Sequence, residues 1–292
     1  MEKQTASRSA AIIAAHRAFD SSKTPEERIC YDPFARRFLP TGFTVIGEVE
    51  MDEETALNVF KDIVPGFHEY FLARTRYIDE QLQKSLSDGL QQLVILGAGY
   101  DSRAYRFDEM INTVQIFEVD HPVTQAVKKD KLKEYFQDLP NHVTLVPIDF
   151  QKENLETCLI RCGYDSGLKT LFIWEGVTMY IDSESVDKTL QFISKTSGKG
   201  SSVIFDYTYQ DVIEGTNDRK EAKGWLNIAG KSNEPLLFGL QNNHVEEFLA
   251  KRGFANVVIA TSEYFNEKYY TGINKDRETT PVLSIVHAEV MD

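Results

Sequence analysis

The residues best suited to chemistry stand at the ends of apolar runs. Leu93-Val94-Ile95 leads into Leu96-Gly97-Ala98-Gly99-Tyr100-Asp101-Ser102, a strand entering a glycine turn, which is where open parallel sheets hold nucleotide-like ligands. A dinucleotide turn carries a third glycine, so that a helix packs close to the strand and offers its N-terminus to a pyrophosphate. Here that place is Ser102, and Asp101 in the same loop would repel a phosphate at short range. The turn therefore suits a ligand that has a ribose and no phosphate. S-adenosylmethionine is such a ligand, its other parts being an adenine, a cationic sulfonium and an amino-acid tail. The next apolar run supplies the matching acid: Asp120 follows Gly97 by twenty-three positions, near the spacing at which a carboxylate meets ribose hydroxyls. With no ligand, the same GxG is a tight strand-to-helix turn.

Three further positions extend the candidate site. Asp149-Phe150 closes the run HVTLVPIDF, where a side chain or backbone group can reach an adenine amine and a ring can flank the base. Glu175 ends the run in FIWEGVTMY, where the cofactor tail and the substrate should meet. Arg74, in FLARTRYID, could pair bidentately with the tail carboxylate. Plainer alternatives stand beside two of these: a helix N-cap for Asp149 and a solvated surface charge for Arg74. His121, His244 and Tyr180 could act as general bases, but none is assigned a catalytic role. His121 precedes a proline at a helix start, His244 lies on an expected surface helix, and Tyr180 can simply pack. Cys30, Cys158 and Cys162 make no CxxC pair; they read as buried reduced thiols, and no metal is expected.

These positions need a scaffold. Five apolar runs, QQLVILGAG, TVQIFEVD, HVTLVPIDF, KTLFIWEG and GSSVIFDY, alternate with segments of helical spacing, and NVVIATSEYF and PVLSIVHAEV look like closing strands. That order predicts an α/β doubly wound, mostly parallel sheet with helices on both faces. Residues 1–90 lack the alternation and read as a helical cap, with Tyr31-Asp32-Pro33 as a turn; residues 91–292 hold the sheet, and the two read as one compact unit. Between about 206 and 241 the pattern breaks into polar, Gly-containing sequence that reads as a substrate lid. Tyr207, Tyr209 and Trp225 fall where such a lid would touch an acceptor.

With 292 residues, 42% hydrophobic and 26% charged, the chain is of ordinary globular composition. A formal net charge of -13 without a basic run argues against nucleic acid as a partner. The N-terminal apolar stretch is too short for a signal sequence, and no run reaches membrane-spanning length, so a cytoplasmic location with no membrane partner is expected.

Taken together, SRSA at Ser7 to Ala10, YDPFA at Tyr31 to Ala35, ARTRYID at Ala73 to Asp79, LGAGYDSRAYRF at Leu96 to Phe107, FEVDHP at Phe117 to Pro122, PIDF at Pro147 to Phe150 and WEGVTMYI at Trp174 to Ile181 resemble the leucine carboxyl methyltransferase-like family, nearer its microbial branch. The resemblance implies a seven-stranded class I, Rossmann-like methyltransferase sheet with S-adenosylmethionine as methyl donor. It implies Arg74 as partner of the methionine carboxylate and Gly97 and Gly99 under the methionine moiety. Asp120 falls on the ribose acid, Asp149-Phe150 on the adenine pair and Glu175 on the acid near the methionine amine. The expected activity is O-methylation of a carboxylate on a small molecule or peptide. A noncatalytic module keeping the fold is the alternative, and a flavin or nicotinamide oxidoreductase is disfavoured by Asp101 and Ser102.

Replacing a carboxylate that accepts ribose hydroxyls removes charge-assisted bonds, so Asp120→Ala should weaken S-adenosylmethionine binding by about tenfold or more. Titration calorimetry checks this, and an unchanged affinity would place the ribose elsewhere.

Overall fold

The computed structural model describes residues 8–39, 53–136, 140–149, 152–231 and 234–291. Three helices come first: α1 (Arg8–Ser21), α2 (Glu53–Ile63) and α3 (Phe67–Ser87). The sheet domain follows as β1 (Gln92–Leu96), α4 (Arg103–Arg106), β2 (Gln115–Asp120), α5 (Pro122–Phe136), β3 (Val143–Pro147), α6 (Leu155–Arg161), β4 (Thr170–Trp174) and α7 (Ser183–Lys195). It closes with β5 (Ser202–Thr208), α8 (Gln210–Ile213), α9 (Lys220–Lys231), α10 (Val245–Ala250), β6 (Phe254–Ala260), α11 (Ser262–Tyr269) and β7 (Leu283–Val290).

The seven strands form one sheet in the order β3-β2-β1-β4-β5-β7-β6, parallel except for β7, which runs antiparallel to both its neighbours. All seven runs singled out in the sequence supply a strand. The central strands are buried on both faces, and their side chains alternate between two apolar clusters. Leu93, Ile95, Ile116, Ile173 and Ile204 face one, with α3 residues such as Phe67 and Leu72. Val94, Leu96, Phe117, Trp174 and Phe205 face the other, with α7 residues such as Val186 and Leu190. Period-two alternation on continuously apolar strands is what a doubly wound sheet requires. The sheet order reverses between β1 and β4, so the crevice beyond their carboxyl ends is the natural ligand position.

The helical cap is broken at Pro65-Gly66 between α2 and α3: Gly66 has φ 74°, and a Cβ there would lie 2.5 Å from the Thr280 backbone nitrogen. Two local readings need correction. In NVVIATSEYF the strand ends at Ala260, and the Thr261 hydroxyl accepts from the Tyr264 amide at 3.5 Å to open α11. The 206–241 segment is not irregular throughout, since α9 buries Ala222, Trp225 and Ala229 at helical spacing. Gly224 lets α9 approach α2, for a Cβ there would meet the Ile63 carbonyl at 2.1 Å. Among the described residues, no helix is long and apolar enough to cross a membrane. Cys30 and Cys158 are buried, whereas Cys162 is half-buried.

Under the cap, α1 and α3 meet through an imidazole pair: His16 Nδ1 and His68 Nδ1 lie 2.8 Å apart, both rings fully buried. One Nδ1 must carry the proton and the other accept it, so the accepting ring is neutral. Burial, then Lys61, Arg74 and Arg17, hold His16 down at about 3. Burial, then the neighbouring His16 and Lys61, push His68 well below its ordinary value. Because the unfolded chain takes up these protons near pH 6.5 while the folded one refuses them, the pair's stability is present above that pH and is lost as pH falls. Folding free energy should therefore drop by up to about 1.4 kcal/mol per pH unit per histidine below pH about 6.5. Urea titrations between pH 6.5 and 5 check this, with His16→Gln flattening the slope; a stability independent of pH in that window would contradict the neutral pair.

Candidate cofactor site

At the carboxyl ends of β1, β2 and β4 lies a cavity of about 270 Å³, walled by Ile95 to Asp101, Asp120, His121, Glu175 to Val177 and Tyr180 from the sheet, by Arg74 from α3, by Ser9, Ala10, Ile13 and Arg17 from α1, and by Glu234. The turn after β1 forms its floor. Gly97 and Gly99 have φ 66° and 42°. A Cβ on Gly97 would sit 2.3 Å from Val177 Cγ2, and one on Gly99 would sit 3.2 Å from Ala10 Cβ. The left-handed backbone thus favours glycine at both positions, and crowding against Val177 adds to it at Gly97. Asp120 ties the second strand to this turn, its Oδ2 accepting from the Gly99 amide at 2.5 Å and its Oδ1 from the His121 amide at 2.6 Å. Burial raises the Asp120 carboxyl above its ordinary value, with the two backbone amides opposing. Arg17 pins the turn from outside, donating through Nη2 to the Tyr100 carbonyl at 2.6 Å and through Nε to Asp32 at 2.9 Å.

Behind the cavity lies a buried ionic network. Arg74 is 3% exposed; its Nη1 donates to Asp206 Oδ2 and its Nε lies 3.0 Å from Glu175 Oε1. Arg103 donates to Asp79 at 2.7 Å, to Glu175 Oε2 at 2.8 Å and to Asp101. Arg106 adds a second contact to Asp79 at 2.6 Å. Burial alone would raise Glu175, but Arg74, then Arg103 and Arg17, hold it at about 2. Arg74 stays charged because Asp206 and Glu175 outweigh its burial. The surface-charge reading of Arg74 therefore fails on its burial.

The structure brings together Arg74, Gly97, Gly99, Asp120 and Glu175 at one cavity. Asp149 lies beyond β3, half-buried and paired with Lys152 at 2.6 Å, and is not part of the cavity wall; Phe150 lies outside the described residues. Nor do Tyr207, Tyr209 and Trp225 line the cavity. Tyr207 follows Asp206 on β5, so strand alternation turns it to the far face with Phe205. Tyr209 bonds Ser284 Oγ at 2.6 Å, and Trp225 packs edge-on against Phe67. Of the possible bases, His121 and Tyr180 are at the wall, while His244 is exposed at the start of α10. Sequence reasoning passed over Arg103 and Asp206. The clue to Arg103 was its place in the turn's own helix, and the clue to Asp206 was a charge inside the otherwise apolar run SSVIFDY.

The fold is that of an α/β Rossmann-like methyltransferase, with a glycine turn and strand-end acids at its switch point, and comparison with known proteins identifies an S-adenosylmethionine-dependent methyltransferase. Residues 10–194 match the leucine carboxyl methyltransferase family. A Bacillus subtilis protein, YktD, provisionally named as an S-adenosyl-L-methionine-dependent methyltransferase, is 30% identical over 217 residues, 74% of this chain and 71% of its own. A Mycobacterium tuberculosis protein of similar provisional name is 26% identical over 262 residues, 88% of this chain and 83% of its own. Among solved structures, a Thermobifida fusca protein provisionally described as a methyltransferase shares the fold with a TM-score of 0.62 at 12% identity, covering 97% of this chain and 94% of that one. The chain belongs to the leucine carboxyl methyltransferase family. Membership sets aside both a noncatalytic module and a nucleotide oxidoreductase.

Gly97→Ala must bear a left-handed backbone and a clash with Val177, and should cost about 1–3 kcal/mol of stability. Thermal unfolding checks this, with Val177→Ala in the same chain recovering part of the loss; an undisturbed midpoint would show that the turn tolerates a side chain.

Proposed function

We propose that this methyltransferase acts on a carboxylate oxygen of a small molecule or peptide. The observation that carries the reading is the state of Glu175. The cavity acid expected at the meeting of cofactor tail and acceptor is locked between two arginines and held ionised at about 2, which makes it a poor base. An alcohol or phenol acceptor would need a base to take its proton, whereas a carboxylate is already a nucleophile at neutral pH. Burial, with Glu234 adding to it, pushes the Tyr180 phenol up, and His121 Nδ1 already accepts from the Val123 amide at 3.3 Å, so neither supplies the missing base.

The wall fits the cofactor. Each Asp120 oxygen already accepts one backbone N–H and retains a lone pair, which suits the adjacent hydroxyls of a ribose. Arg74 would meet the methionine carboxylate, Glu175 the amine, and Gly97 and Gly99 would let the tail lie against the backbone. In this reading Asp149, which follows β3 next to β2, is the adenine-side acid, with Phe150 as its expected partner. Asp101, Asp120 and Glu175 give the wall the negative charge that a sulfonium prefers. When bound, S-adenosylmethionine supplies a methyl group on positively charged sulfur. The chain's own residues then align the acceptor and keep water out; Ile13 and Val177 provide apolar wall, and alignment of this kind is worth several kcal/mol.

Incubating the enzyme and cell extract with methyl-labelled S-adenosylmethionine should transfer label that mild alkali releases as volatile methanol. Label that survives alkali would identify an ether, an amine or a carbon product and overturn the carboxylate reading.

A further inference from the structure

Asp206 has no role in the readings above, yet it holds two of their parts. Its neighbours Phe205 and Tyr207 point into the core on one face of β5, so strand alternation turns Asp206 toward the cap. The carboxylate is fully buried. Its Oδ2 accepts from Arg74 Nη1, and its Oδ1 accepts from the Gly176 amide at 2.6 Å. One side chain thus fixes both the guanidinium of Arg74 and the turn that carries Glu175. Arg74 is sandwiched further, with Phe71 at 5.1 Å and Tyr70 at 5.8 Å from its guanidinium carbon. With Nη1 on Asp206 and Nε 3.0 Å from Glu175 Oε1, two of the three guanidinium nitrogens stand at carboxylates, and Arg74 still lines the cavity.

We propose that Asp206 is the positioning residue for cofactor recognition: by holding Nη1, it aims the Nη2 corner of Arg74 at the carboxylate of the methionine tail. The inference rests on reading Arg74 as that carboxylate's partner. A merely structural ion pair would support every ligand of the cavity alike, whereas a positioning residue acts only on ligands that carry the group it aims at. Asp206→Asn keeps an oxygen for the Gly176 amide and removes the charge that orients Arg74, so it separates these roles.

The test is calorimetric, with S-adenosylmethionine and its decarboxylated analogue as two probes on the wild-type chain and on Asp206→Asn, Asp206→Glu and Arg74→Met. Arg74→Met and Asp206→Asn should each weaken S-adenosylmethionine by about tenfold or more, the range of a bond to a charged group, while leaving the decarboxylated analogue within about threefold. Asp206→Glu, which keeps the charge and displaces it by one methylene, should show the same selective loss and serves if the Asn variant does not fold. Equal weakening of both probes by the Asp206 variants, or no weakening, overturns the positioning role provided Arg74→Met is selective. If Arg74→Met is not selective, the assignment of Arg74 itself fails, and the inference falls with it.

Discussion

The mouth of the sheet is organised by two buried guanidinium groups that must be kept in carboxylate company. Isolating a charge of this kind from water costs several kcal/mol, and removing one partner of a buried pair typically costs about 3–5 kcal/mol. Arg74 and Arg103 are both almost fully buried, so Asp79, Asp101, Glu175 and Asp206 have little freedom to be elsewhere. Those four acids come from α3, the glycine turn, the end of β4 and β5. The same contacts therefore fasten the helical cap to three strand ends. The cofactor cavity is the space left over once that network is satisfied, which explains why its wall mixes cap and sheet residues.

Charge in this network also separates roles among chemically similar groups. Glu175 shares two arginines and stays ionised well below the ordinary carboxylate range, while Asp120, held only by backbone amides, is raised by burial. The first is suited to an ammonium and the second to hydroxyl donors. The two carboxylates of one cavity thus differ in partner and in charge state although their chemistry is alike.

Much of this was legible in the sequence because the strands are buried on both faces: continuous apolar runs ending in Gly97, Asp120 and Glu175 mark strand ends, and strand ends are where a parallel sheet binds. Arg74 was harder, since a helical Arg reads as solvent-facing until the packing partner is known. Asp206 was read as the start of a lid, although strand alternation places it on the cavity side and sends Tyr207 to the core. Tyr207 is turned from the cavity for that reason, whereas Tyr209 is drawn to Ser284 and Trp225 to Phe67. The helix α9 was hidden by Gly224 and Gly230, whose low propensity masks the helical spacing of Ala222, Trp225 and Ala229; Gly224 is there for close approach to α2. What no local pattern can reveal is which distant charges meet, because Arg74 and Asp206 are brought together only by the completed sheet.

The most direct test of the central claim is a crystal structure with S-adenosylhomocysteine bound. The ribose hydroxyls should lie on Asp120, the tail carboxylate on Arg74 Nη2, and the pairs from Arg74 to Asp206 and Glu175 should persist. A tail turned away from Arg74, or an Arg74 that leaves Asp206 to reach the ligand, would contradict a cavity defined by a fixed ionic network.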